Sequence, residues 1–122
     1  MPRVLVVDDE PLIAMLLEDW LTELDCETMG PAGSAEDALA LIDGEVPDVA
    51  ILDVSLGTHD SFAVAAALQQ RAVPFVFATG HGRERIAERF RDVPTVLKPY
   101  NFESVRDAVT TMLACARPRS AP

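Results

Sequence analysis

Asp53 closes the apolar run Val49-Ala50-Ile51-Leu52, and three other runs end in the same way. They are Val4-Leu5-Val6-Val7 before Asp8-Asp9, Phe75-Val76-Phe77-Ala78 before Thr79, and Thr95-Val96-Leu97 before Lys98. Runs this apolar suit parallel strands buried on both faces, and open α/β sheets bind ligands just beyond the carboxyl ends of their strands. Asp8, Asp9, Asp53, Thr79 and Lys98 are therefore expected at one rim. Three carboxylates against one ammonium give a formal charge of -2 there, and like charges that close raise one another's pKa unless a cation intervenes. With only oxygen ligands on offer, Mg²⁺ is the cation that fits. Lys98 is the only lysine of the chain, a compact point charge suited to one phosphoryl oxygen. Thr79 offers a hydroxyl to another, and Gly80 lets the backbone come close. Phosphoryl transfer depends mainly on positioning and charge neutralisation, so Asp53 can itself attack phosphorus and hold the group without a general base.

Each residue also has a plainer reading. Asp8-Asp9-Glu10 could be acids at a helix N-terminus, where the dipole favours them. Asp53 could be a loop or cap residue, and Lys98 a surface charge. Their joint placement, each just past an apolar run, favours the shared site.

The elements that must position these residues are marked by their own chemistry. A first strand over residues 3–8 leads through Asp8-Asp9-Glu10 to a helix with Pro11 at its first position. Ile13, Leu16, Leu17, Trp20, Leu21 and Leu24 follow helical spacing and define its core face. Leu12 and Met15 fall off that stripe, either packed beneath a neighbouring helix or exposed beside the acids. Cys26 to Met29 reads as a second, edge strand ended by Gly30-Pro31. Ser34-Ala-Glu-Asp37 resembles a capping box, opening a helix with Ala38, Leu39 and Ile42 inward and Asp43-Gly44 as its stop. Val46-Pro47, Val73-Pro74 and Val93-Pro94 stand at the entries of strands three, four and five, where a missing N–H does least harm. Asp60-Ser61 can cap a helix from Phe62 to Arg71, and Gly82 to Arg91 predicts a shorter, Arg-rich helix of marginal stability. Asn101 can cap a last helix with Phe102, Val105, Val109, Met112 and Leu113 on its apolar face. Strand and helix alternate five times, which predicts a parallel sheet with helices on both faces and right-handed crossovers.

Length and composition set the class. At 122 residues, 49% apolar and 25% charged, the chain reads as one domain with a core of its own, frayed at 119–122. Cys26 and Cys115 have no metal-ligand spacing and read as core or near-core filler in a reducing cytoplasm. No apolar run approaches the roughly 18 residues of a membrane span, and the N-terminus lacks a signal peptide. A net charge of -10 argues against direct nucleic-acid binding. The charge is uneven, net -14 over residues 1–60 and net +4 over residues 61–122.

At the five rim residues the chain resembles the receiver domains of bacterial two-component response regulators, over Arg3 to about Cys115. The resemblance implies the flavodoxin-like (βα)5 doubly wound parallel sheet of order 2-1-3-4-5. It also implies paired metal-site acids at Asp8 and Asp9, a phosphoacceptor at Asp53, a switch hydroxyl at Thr79 and a lysine-proline pair at Lys98-Pro99 joined by a cis bond. Mg²⁺ would be held by Asp9, Asp53 and the Ser55 carbonyl, with Asp8 acting largely through water. Phosphoryl groups would come from a histidine kinase or a phosphotransfer protein. The loop Leu56-Gly57-Thr58-His59-Asp60-Ser61 lacks the family's usual Met-Pro pair, and Thr95 stands where many receivers carry a switch aromatic. Both departures resemble a stand-alone subgroup marked by Phe-Ala-Thr-Gly, here Phe77-Ala78-Thr79-Gly80, although His81-Gly82 replaces that subgroup's apolar residue and tyrosine. Ser55 and His81 fall where receivers tune the lifetime of the phosphoryl group; His81 either acts there through its protonation near neutral pH or is a solvent-facing loop histidine.

These readings converge on a cytoplasmic, single-domain response regulator, able to dimerise but expected as a monomer. It would accept a phosphoryl group on Asp53 and signal to a downstream target by protein binding, as relay, sink or switch, without enzymatic turnover of its own. A kinase is expected over Leu12, Ile13 and Met15, and a phosphorylation-sensitive face over Arg83, Arg85 and Arg89. The alternatives are a non-phosphorylated adaptor of the same fold, a Mg²⁺-dependent phosphohydrolase, and a receiver cut from a longer regulator. The phosphohydrolase lacks an acid at Ser55.

Overall fold

The protein is described by a computed structural model over residues 1–56, 59–80, 86–98 and 100–115. Expectations for His81, Arg83, Arg85, the Lys98–Pro99 bond and the tail 119–122 lie outside these residues.

Five strands make one sheet: β1 (Arg3–Val7), β2 (Glu27–Ala32), β3 (Val49–Asp53), β6 (Phe75–Thr79) and β7 (Thr95–Leu97). Its order is β2-β1-β3-β6-β7, all pairs parallel. Between β3 and β6 in the chain lies a two-stranded ribbon, β4 (Ser55–Leu56) against β5 (His59–Asp60). Without the ribbon strands, the order is the expected 2-1-3-4-5. β3 and β6 are buried at every position, as unalternating apolar runs require.

Successive side chains point to opposite faces, so the sheet divides the core in two. On one face Leu5, Val7, Ala50, Leu52, Phe75 and Phe77 meet α2 (Ala35–Gly44) and α3 (Phe62–Gln70) through Ala38, Ile42, Val64 and Leu68. On the other, Val4, Val6, Val49, Ile51, Val76 and Ala78 meet α1 (Pro11–Glu23) and α4 (Phe102–Cys115) through Leu17, Leu21, Val105, Val109 and Met112. The caps are as expected. Ser34 Oγ accepts from Asp37 N at 3.1 Å, Asn101 Oδ1 from Ser104 N at 2.7 Å, and Asp60 Oδ1 from Phe62 N at 3.1 Å.

Four expectations need correction. The core face of α1 is Ala14, Leu17 and Leu21, while Leu16 faces solvent with Leu12 and Met15. The buried stripe thus runs through Ala14, Leu17 and Leu21 at helical spacing, which leaves Leu16 beside it at the solvent edge. Second, β2 does not stop at Gly30-Pro31 but continues to Ala32. Leu5 pairs Met29 and Val7 pairs Ala32, so β2 carries one extra residue through the cis Gly30–Pro31 segment, a bulge that an edge strand tolerates. Third, the described part of the segment Gly82 to Arg91 holds only a 3-10 turn, Glu88–Phe90, entered from Ala87 in an extended conformation. Its apolar residues Ile86 and Phe90 are buried against the Phe62, Phe75 and Phe77 side; two anchors fix a turn without demanding a helix. Fourth, Cys26 is buried but Cys115 is exposed at the end of α4.

Gly30 matters to the rim because β2 ends by holding it: Ala32 O accepts the Asp8 N–H at 2.9 Å. Gly30 has φ +96°, and a Cβ there would lie 2.7 Å from Ala32 N and 3.2 Å from Val6 O. Gly30→Ala is expected to cost about 1–2 kcal/mol through the left-handed backbone alone, lowering Tm by roughly 3–10 °C in a thermal melt.

Candidate functional site

The carboxyl ends of β1, β3, β6 and β7 deliver their polar residues to one edge. Register fixes this: Val7 pairs Leu52, Asp53 pairs Ala78, and Thr79 pairs Leu97. Asp8, Asp53 and Thr79 are buried, while Asp9 is exposed. Lys98 N donates to Thr79 O at 2.9 Å, so the backbone that carries the lysine is tied to the strand that carries the threonine.

Lys98 Nζ donates to Asp53 Oδ2 at 2.8 Å and lies 3.5 Å from Asp8 Oδ2. Ser55 N donates to Asp53 Oδ1 at 3.2 Å, and Glu10 N to Asp8 Oδ1 at 2.9 Å. Each buried aspartate thus has one oxygen held by a backbone amide and the other turned toward the ammonium. Asp8 Oδ2 is buried and accepts no hydrogen bond. The ligand atoms of Asp8, Asp9, Glu10 and Asp53 all lie within 4.8 Å of one another.

Two residues here were not singled out from the sequence. Glu10 Oε1 is 3.3 Å from Lys98 Nζ, making a fourth carboxylate and raising the formal charge to -3 with Lys98 counted. Tyr100 stacks beside the lysine, with Nζ 5.8 Å from its ring centroid, and its hydroxyl is buried without a hydrogen-bond partner. Neither carries a local signature. Glu10 reads as one more acid at a helix start, and Tyr100 as a core aromatic.

The electrostatics follow from burial. Desolvation raises the Asp8 carboxyl above its ordinary range, against the opposing effects of the Glu10 N–H and Lys98. Asp53 is raised for the same first reason, against its hydrogen bond and attraction to Lys98. Burial pulls Lys98 downward, but the hydrogen bond and charge of Asp53, with Asp8 and Glu10, outweigh it and leave it raised. Burial first, then the charges of Asp8, Asp53 and Glu10, push the Tyr100 phenol far up. Among the described residues, a buried Asp8 oxygen that accepts no hydrogen bond and four clustered carboxylates around one ammonium suit a hard divalent cation with oxygen ligands.

A family description, response regulator receiver domain, matches residues 4–110. The chain is 32% identical to the transcriptional regulatory protein PdtaR of Mycobacterium tuberculosis over 111 residues, 88% of this chain and 54% of that protein. It spans about half the length of the curated relatives it matches. Among solved structures, SdrG from Sphingomonas melonis Fr1 is similar at 44% identity and TM-score 0.81, covering 93% of this chain and 97% of SdrG. The receiver domain of the response regulator PhyR from Erythrobacter litoralis is similar at 31% identity and TM-score 0.83, covering 99% and 96%.

The raised carboxyls make a stability prediction. A buried acid with a raised folded pKa holds its proton to higher pH than the unfolded chain does, so stability falls as pH rises through the ordinary carboxylate range toward the folded value. The deficit is complete above it. Asp8→Asn in metal-free buffer is therefore expected to raise Tm at neutral pH, because it removes the buried charge whose desolvation raises the carboxyl. The gain should shrink as pH is lowered into the ordinary carboxylate range, which melts across pH will measure.

Proposed function

This chain belongs to the response regulator receiver family, and on that premise we propose that it accepts a phosphoryl group on Asp53 in a Mg²⁺-dependent reaction. Receiver domains are regulatory rather than catalytic in the main and work in two-component signal transduction with kinases or phosphotransfer proteins. The observation that carries the proposal is the position of Asp53 at the end of the central strand, with Lys98 Nζ at 2.8 Å. Ligand oxygens of Asp8 and Asp9 lie within 4.8 Å of one on the same carboxylate.

The family resemblance suggests the roles, and the contacts of Asp53 and Lys98 support them. Asp53 Oδ2 is the oxygen turned into the site, while Ser55 N holds Oδ1; the carboxylate is thereby aimed at an incoming phosphorus. Lys98 takes one phosphoryl oxygen and Thr79 another. Asp9, Asp53 and the Ser55 carbonyl would hold the Mg²⁺, with Asp8 contributing through water the oxygen that accepts no hydrogen bond. A bound Mg²⁺ supplies the positive charge that lets an anionic phosphate approach carboxylates. Ser55, exposed at the rim, and His81 tune how long the group lasts.

Residues 1–122 act in this reading as one receiver unit whose output is protein binding. Leu12 and Met15 are 80% and 59% exposed, with Ile13 half-buried beside them, an apolar patch next to the acids where the histidine-bearing phosphodonor docks. Arg89, exposed with its guanidinium 4.8 Å over the Phe90 ring, stands on the face that a downstream target reads in this proposal; Arg83 and Arg85, expected to share that role, lie outside the described residues. No helix among the described residues is long and apolar enough to cross a membrane.

Intact mass after incubation with acetyl phosphate tests the reaction. Wild type should gain one base-labile phosphoryl group only when Mg²⁺ is present, Asp53→Asn none, and Lys98→Ala should gain it at least about tenfold more slowly, as expected for losing a charged donor to the transferring group. An adduct that survives Asp53→Asn would place the acceptor elsewhere.

A further inference from the structure

Glu10 is an unusual residue for its position. It is the N-cap of α1, with extended φ -99° and ψ 107°, and its side chain makes no capping hydrogen bond. Ser, Thr, Asp or Asn would satisfy a free helix amide there, and a glutamate is not among the preferred caps. Its carboxylate instead reaches Lys98, 88 residues away, at 3.3 Å. The three acceptors around Nζ differ sharply in their surroundings. The side chains of Asp8 and Asp53 are 1% and 8% exposed, that of Glu10 is 61% exposed, and that of Lys98 is 18% exposed. An ammonium has three N–H groups. In the resting protein its hydrogen bonds go to Asp53 and Glu10, with Asp8 alongside.

Phosphorylation changes what the ammonium faces. A bond forms between Asp53 Oδ and phosphorus as the bond from phosphorus to the donor breaks, and the donor leaves with that electron pair, as acetate when the donor is acetyl phosphate. The single charge of Asp53 is thereby replaced by the larger charge of a phosphoryl group, which needs a Lys98 N–H. Of the present acceptors Glu10 is the one that water can solvate in exchange, so it releases the ammonium at least cost. We propose that Glu10 is a positioning residue that holds Lys98 over the unmodified Asp53 and competes with the phosphoryl group for it, so that its charge biases the protein toward the unphosphorylated state. The inference rests on Asp53 being the acceptor.

Glu10→Gln keeps the shape and an acceptor oxygen but removes the charge. It also removes one acid from the cluster, so Mg²⁺ affinity is measured first and phosphorylation is compared at saturating Mg²⁺ for each protein. With acetyl phosphate and intact-mass readout, the variant is expected to phosphorylate about fivefold faster than wild type, the scale of one unit charge a few ångströms away in a water-like dielectric. In the metal-free protein, NMR of the Lys98 ammonium should show faster proton exchange in Glu10→Gln, because a tether is lost. A rate equal to or below wild type at saturating Mg²⁺, or unchanged ammonium exchange, overturns the role of Glu10. Wild type that gains no adduct on Asp53 overturns the acceptor reading and this inference with it.

Discussion

One ammonium faces more negative charge than it can balance. Lys98 Nζ sits among Asp8, Glu10 and Asp53, with Asp9 beside them. Two of these carboxylates are buried, where repulsion is least screened and ionisation is most costly. The site is therefore built around an imbalance. It holds together in the resting state because Asp53 and Lys98 are hydrogen-bonded and because backbone amides neutralise one oxygen of each buried aspartate. It is completed by what it attracts, a cation to the carboxylates and an anionic group to the lysine.

The sheet makes that imbalance possible. A carboxylate at the end of a central, doubly covered strand has no choice of position, because β3 is buried along its whole length and bonded on both sides. The same rigidity ties the outer parts of the rim to its centre. The bulged end of β2 holds the Asp8 backbone, and the end of β6 holds the Lys98 backbone. Lys98 thus links Asp53 to β7 and Tyr100, and Glu10 links Lys98 to the start of α1. Both routes lead to surfaces, the exposed apolar residues of α1 and the edge strand β7 with its outward Leu97.

The strands and their terminal residues were legible because burial on both faces leaves an unalternating apolar run, and such a run ends where the polar rim begins. The caps at Ser34, Asp60 and Asn101 were legible because side-chain oxygens and helix amides pair locally. What escaped was set by contacts distant in sequence. Cys26 to Met29 looked complete at Gly30-Pro31, since nothing local announces that Ala32 must reach Asp8. Leu16 has the spacing of a core residue, but the face of α1 that meets the sheet is the one carrying Ala14, Leu17 and Leu21. Gly82 to Arg91 read as a short, marginal helix, but in its described part the two apolar residues Ile86 and Phe90 are buried around a 3-10 turn. Glu10 was hidden for the same reason: its partner lies at the far end of the chain.

Carbon-13 NMR of the aspartate carboxyls, followed across pH with and without Mg²⁺, tests the charge imbalance most directly. Asp8 and Asp53 should titrate above the exposed acids in the metal-free protein, and their midpoints should fall when Mg²⁺ is added, because the cation stabilises the ionised form. If both titrate with the exposed acids and Mg²⁺ moves neither, the rim is not the strained anionic site on which this account depends.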